Sequence, residues 1–192
     1  MITPMTTSDK RPGTYRVADG AKVEFSDAMT TWIPLAHDEL IAAARSYHTV
    51  ITYSELSRRV RDVSGIETRT LLTNWIGKLL EEVAHRAKAN GEPPLTSLCV
   101  HQDGTVGPGY ARAPKATTDE PGEDIELFAA QHRLLCYRAF AEDLPTDGGK
   151  PALTKSEHAR RARKAAQNPV PRPRCSGCFT ELPTSGHCDY CA

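Results

Sequence analysis

No stretch of the 192-residue chain approaches the roughly 18 uninterrupted apolar residues that a membrane-spanning helix requires. The polar N-terminus, broken by Pro4 and Pro12, lacks the apolar core of a secretory signal. Net charge is missing as well: 24 Lys and Arg oppose 24 Asp and Glu, so no global field selects a partner. The signatures of common enzymes are absent too. There is no Walker-type Gly-rich loop, no Gly-x-Ser-x-Gly and no His-Glu-x-x-His, and Gly107-Pro108-Gly109 is too short to cradle a phosphate. These gaps argue against a membrane protein and a secreted disulfide scaffold. They leave the expectation of a cytoplasmic, non-enzymatic protein. With 25% charged and 39% hydrophobic residues, the chain suits one ordinary folded domain plus something small.

The zero net charge hides segregation. Residues 1–116 are near balance, with 14 basic and 13 acidic side chains. Residues 117–149 hold 2 basic and 8 acidic, and residues 150–174 hold 8 basic against Glu157 alone. The last 18 residues carry no Lys or Arg and four of the six cysteines. Such blocks mark modular organisation and often an interaction tail.

The first module reads as a small α+β domain. Residues 1–31 show no sustained period and are expected to be irregular, with a short strand near Val23–Phe25. Pro34 suits a helix start, and Leu35, Leu40, Ile41, Ala44 and Tyr47 follow at helical spacing. The β-branched run Thr49–Tyr53 predicts a strand, and Ser54 a cap for a helix over Glu55–Asp62. A long helix is expected from Glu67 to Asn90, with Leu71, Leu72, Trp75, Ile76, Leu79, Leu80, Val83 and Ala87 on one stripe. Gly91 and Pro93-Pro94 end it. Leu95–His101 and Val106–Tyr110 then flank an Asp103-Gly104 turn, which predicts a β-hairpin. A last amphipathic helix is expected over 122–142, burying Ile125, Phe128, Leu134, Leu135, Tyr137 and Phe140. Helices followed by a hairpin give the order of a winged helix, with the hairpin as wing and the preceding helix able to enter a major groove.

The segment Ile51-Thr52-Tyr53-Ser54-Glu55-Leu56, a long helix, Pro94-Leu95 and then Asp103 to Tyr110 resembles the DNA-binding domain of methylated-DNA–protein cysteine methyltransferases and their alkyltransferase-like relatives. The resemblance covers residues 47–112 and implies a DNA-binding scaffold. The family's reactive Pro-Cys-His-Arg motif has no counterpart, because this chain reads Leu95-Thr96-Ser97-Leu98-Cys99-Val100-His101-Gln102. A nucleophilic thiol needs a cationic or His-containing setting. Cys99 between Leu98 and Val100 therefore reads as a buried small hydrophobe, with His101 the one feature favouring reactivity. Cys136 falls on the apolar face of the last helix. Arg58, Arg59 and Arg61 lie close enough in sequence to form a phosphate-facing patch, or a solvated face.

The sharpest signal lies at the C-terminus. Cys175-Ser176-Gly177-Cys178 and Cys188-Asp189-Tyr190-Cys191 are two Cys-x-x-Cys pairs with nine residues between them. Each pair can turn both thiolates toward one ion, and two pairs complete the closed tetrahedral set of a structural Zn²⁺. Disulfides and an iron site are the competing readings; His187 is a possible substitute ligand. The segment resembles the zinc ribbons and knuckles of nucleic-acid-handling proteins. Before it come a helix over Leu153–Gln167, with His158, Arg160, Arg161, Arg163 and Lys164, and a Pro-stiffened stretch containing Arg172 and Arg174. This is an electrostatic footprint for a polyanion, or a solubilising linker, or a partner for the acidic block.

The sequence thus divides into an irregular segment 1–31, a winged-helix-like domain 32–142, a basic helix and linker 143–174, and a zinc ribbon 175–192. It is expected to bind nucleic acid, DNA before RNA. The alternative is a protein–protein adaptor that presents Phe179 and Tyr190.

Overall fold

A computed structural model describes residues 13–112, 122–167, 173–183 and 186–191. The chain forms two compact units, residues 1–155 and 156–192. It is mixed α and β, with five α-helices and two sheets of two strands each among the described residues. None of the described helices is long and apolar enough to cross a membrane.

The first unit starts with β1 (Thr14–Arg16) and a 20-residue helix α1 (Phe25–Ala44). The segment before residue 32 is therefore more ordered than its lack of period implied. Pro34 lies inside α1 rather than at its start. An interior proline removes one helical hydrogen bond and costs about 3 kcal/mol. The buried stripe Ala28, Trp32, Ala36 and Leu40, all 0% exposed, offsets that loss. Next come β2 (Ile51–Thr52) and α2 (Tyr53–Ser64). The cap of α2 is Thr52, not Ser54. The Thr52 hydroxyl accepts from the Glu55 N–H, and the Glu55 carboxylate accepts from the Thr52 N–H. This capping box satisfies two orphan amides at once.

The helix expected from Glu67 begins only at Ile76, as α3 (Ile76–Ala89). Gly65 ends α2 in the left-handed region, and β3 (Ile66–Thr68) then pairs antiparallel with β1. Those amides serve a ladder, so they are lost to the helix. A 3₁₀ turn at Leu72–Asn74 leads into α3, and Leu71 ends 70% exposed instead of in the core.

The expected hairpin is also corrected. A 3₁₀ turn at Leu95–Leu98 precedes β4 (Cys99–Val100), which pairs parallel with β2. The turn at 101–104 exists: Gly104 adopts φ 84°, and the Asp103 side chain accepts from the Thr105 amide and hydroxyl. The return strand does not form, because side chains claim its amides. Val106 N–H donates to Glu126 Oε1 at 2.8 Å and Gly107 N–H to Tyr53 Oη at 2.9 Å. Residues Tyr110–Arg112 close in a 3₁₀ turn. Helix α4 (Ile125–Phe140) is capped by the Asp124 carboxylate. It buries Phe128, His132, Arg133, Cys136 and Tyr137, while Leu135 stays 36% exposed. The hairpin that would serve as the wing of the expected winged helix is thus not formed among the described residues.

The main core joins α1, α2, α3 and the 95–99 segment to Cys136 and Tyr137 of α4. A smaller one gathers Val100, Val106, Tyr110, Phe128 and Ala129. In the second unit, α5 (Lys155–Gln167) ends ahead of the C-terminal cysteines.

Two stability outcomes follow. Replacing Trp32 by Ala should cost about 3–5 kcal/mol in urea unfolding, as expected for a deleted core aromatic. Thr52→Ala should cost about 1 kcal/mol near neutral pH. The Thr52 N–H, and then the Thr52 hydroxyl that donates to Glu55 Oε2 at 2.7 Å and is lost in the Ala variant, hold the Glu55 carboxyl below its ordinary range. The box is therefore complete above the ordinary Glu pKa and is lost as pH falls through the depressed folded-state value. The difference between Thr52→Ala and wild type should accordingly shrink when unfolding is repeated under acid conditions.

Candidate metal centre and basic surface

The two Cys-x-x-Cys pairs converge. One ligand atom from each of Cys175, Cys178, Cys188 and Cys191 lies within 4.8 Å of the others, so the cluster could hold a metal ion. The first pair sits on a tight turn. Arg174 and Glu181 form an antiparallel bridge, Cys175 N–H donates to Thr180 O at 2.9 Å, and Leu182 N–H to Pro173 O at 2.8 Å. Phe179 adopts φ 59°, the left-handed geometry that reverses the chain right after Cys178. Gly177 keeps the space beside the sulfurs open. A Cβ there would stand 3.3 Å from Cys191 Sγ and 3.8 Å from Cys175 Sγ. The second pair enters past Gly186, whose N–H donates to Pro183 O at 2.9 Å.

The donor chemistry fits a thiophilic cation. Backbone N–H groups of Cys178 and Gly177 draw the Cys175 thiol below its ordinary range. The Thr180 hydroxyl, 2.9 Å from Cys178 Sγ, does the same for Cys178. Crowding by the other sulfurs, Cys178 foremost, pushes the Cys191 thiol up. A bound cation removes that last penalty, since thiolates are the ligating form. All four sulfurs belong to one cluster, and His187 lies alongside it in the same shallow cavity.

The expected cationic residues are distributed unevenly. Arg58 pairs with Asp62 at 3.0 Å, Arg59 with Glu39 at 2.9 Å and Arg61 with Glu67 at 2.6 Å. Each of the three is matched by a carboxylate, so that face is locally neutral. In α5, Arg160 and Arg161 both reach Glu157, at 2.5 and 2.6 Å, and hold its carboxyl below the ordinary range. Arg163 reaches the Ala159 carbonyl within its own helix, and Lys164 is exposed. Arg174 is exposed at the edge of the first cysteine turn. Arg172 lies outside the described residues, as does most of the Pro-rich stretch.

Cys99 is 1% exposed, and burial pushes its thiol well up, so it is a packed core residue. His101 stands beside Tyr53, ring centroids 4.6 Å apart and edge-on. Sequence reasoning missed what surrounds that pair: a cavity of about 620 Å³ whose lining includes Tyr53, Thr96 and Tyr110. Its walls come from five separate stretches of chain, and no spacing within one stretch reveals it.

Purified protein should carry one tightly bound metal ion per chain by elemental analysis. The double replacement of Cys178 and Cys188 by Ser should abolish it while leaving the thermal unfolding of residues 1–155 in place. Retention of the ion by that variant would remove these sulfurs as ligands. No protein-family model, no curated protein and no solved structure matches the chain.

Proposed function

We propose that the protein binds nucleic acid, DNA in preference to RNA, without catalysing a reaction. The observation that carries this reading is α5. It offers Lys155, His158, Arg160, Arg161, Arg163 and Lys164 against Glu157 alone, and every one of those basic residues except Arg161 is exposed. A basic helix followed by Arg172 and Arg174 supplies sequence-independent phosphate contacts. The cysteine cluster belongs to the same compact unit, with a Zn²⁺ ion as its occupant. Four thiolates fill a tetrahedral shell and leave no open position, so this ion is structural and the ribbon is its product. Residues 32–142 form a winged-helix-like scaffold in which α3 presents Lys78, His85, Arg86 and Lys88 to a duplex groove. The ion pairs of Arg58, Arg59 and Arg61 do not forbid binding to phosphate, since exposed pairs are worth about 0–1 kcal/mol.

A second reading rests on the ribbon itself. Phe179 is 73% and Tyr190 84% exposed, on a segment without Lys or Arg. Exposed aromatics without cations suit a protein groove better than a phosphate backbone. On this reading the chain is an adaptor.

Fluorescence anisotropy against labelled double-stranded DNA, single-stranded DNA and RNA, over a salt series, separates the two. Nucleic-acid binding predicts an affinity that falls steeply with salt. The triple variant R163Q/K164Q/R174Q should weaken it and flatten the salt slope by about one unit for each phosphate deprived of its cation. Absence of binding at low salt refutes the proposal and leaves the adaptor reading.

A further inference from the structure

Two of the basic side chains of α5 close on one carboxylate. Arg160 donates from Nε to Glu157 Oε2 at 2.5 Å and from Nη2 to Glu157 Oε1 at 2.7 Å. This is the two-pronged fit of a guanidinium to a carboxylate. Arg161 adds a third bond, from Nε to Glu157 Oε1 at 2.6 Å. Three N–H groups from two side chains thus converge on a single pair of oxygens. The arginines of α2 are held more loosely, since Arg58, Arg59 and Arg61 each meet a carboxylate through Nη1.

Glu157 is well placed to stay where it is. It lies in the first turn of α5, where the helix end favours an anion, and its side chain is 0% exposed. The hydrogen bonds from Arg160, the strongest influence, and from Arg161 hold its carboxyl below the ordinary range, so it is ionised at neutral pH. It sits three and four residues from its partners on the same helix, which gives it a high effective concentration at both. The two arginine side chains are themselves 50% and 37% exposed, so an anion arriving from solvent reaches them.

The chemistry of this arrangement names its ligand. A guanidinium fork that grips a carboxylate in two-pronged fashion grips a phosphate in the same way, because both offer paired anionic oxygens. A lysine ammonium, such as that of Lys164, offers a point charge and no fork. Within α5, shape recognition of an oxyanion therefore belongs to Arg160 and Arg161, and Glu157 already holds both.

We infer that Arg160 and Arg161 form an oxyanion cradle for one backbone phosphate of the nucleic acid, and that Glu157 plugs this cradle as an internal competitor. The inference rests on the proposed nucleic-acid binding and names the residue that limits its strength. A phosphate enters the cradle only by displacing a tethered carboxylate. It does so once neighbouring cations such as Arg163 and Lys164 hold the strand, which raises the local phosphate concentration to match.

The test is anisotropy of the full chain with a fluorescein-labelled DNA duplex over a potassium chloride series. Glu157→Gln should tighten binding about tenfold at low salt and steepen the salt dependence by about one unit, as one more phosphate is engaged. Removing a negative charge tightens binding by itself, so two further variants isolate the cradle. Glu157→Asp keeps the charge but withdraws it by one methylene, and it should still tighten binding several-fold. Combining Arg160→Lys and Arg161→Lys keeps both cations but removes the forks, and it should cancel most of the gain from Glu157→Gln. Circular dichroism and bound metal per chain check the fold of each variant. Should Glu157→Gln lose its helix, Glu157→Asp carries the test. Unchanged or weaker binding by the Glu157 variants, with wild type binding normally, would overturn the cradle and leave nucleic-acid binding in place. An undiminished gain in the double-lysine background would reduce Glu157 to a point charge and overturn the cradle as well. Absence of binding by every variant at low salt would sink both readings together.

Discussion

The indole of Trp32 fixes the arrangement of the first unit. Fully buried in the middle of α1, it lies 4.9 Å from the ring of Trp75 and meets Phe25 edge-on at 6.0 Å. Its Nε1 donates to Ser64 Oγ at 3.0 Å. That hydroxyl in turn donates to Arg61 O and accepts from Ile66 N–H. One side chain thereby joins the centre of α1 to the end of α2, the start of β3 and the entrance of α3. An aromatic pair gains more than its area when the rings meet offset or edge-on, and the buried N–H must find a partner. Both conditions are met only when α2 stops at Gly65 and the chain leaves as a strand. The delayed start of α3 follows, and with it the cavity wall formed by Leu72, Ile76 and Leu80.

The second unit obeys a different logic. The described residues of 173–183 and 186–191 bury almost nothing; the cysteines are intermediate or exposed and the aromatic side chains of Phe179 and Tyr190 face solvent. Apolar burial cannot hold so short a segment, whereas four sulfurs around one ion can, because metal affinity then becomes folding free energy. The Gly177 N–H donates to Cys175 Sγ at 3.4 Å and the Thr180 hydroxyl lies 2.9 Å from Cys178 Sγ, contacts that favour the thiolate forms of both cysteines.

Charge follows a third pattern. Arg58, Arg59 and Arg61 in the first unit are neutralised one by one across tertiary or helical pairs, whereas α5 keeps six basic groups against a single carboxylate. Among the described residues α5 is the segment where cations most outnumber carboxylates, whereas matched surface pairs are screened within about one Debye length. This assigns the two units different work under the proposed function: the tail attracts, and the folded domain positions.

Whatever depends on near neighbours was legible in the chain. The spacing of Cys175, Cys178, Cys188 and Cys191 specified a cluster that could hold a metal ion, because two residues between cysteines set the local turn. Asp103-Gly104 specified a reversal, and the helices expected over Glu55–Asp62, 122–142 and Leu153–Gln167 match α2, α4 and α5 to within a few residues. Tertiary structure decided the rest. Whether Ile66–Thr68 joined a helix or a strand depended on Thr14–Arg16, some fifty residues away in the chain. Whether Val106 and Gly107 continued a hairpin depended on Glu126 and Tyr53 competing for their amides. Parallel pairing of Ile51–Thr52 with Cys99–Val100, and the cavity beside it, arise between distant segments. Backbone amides accept the partner that folding brings nearest, and no local pattern records who that will be.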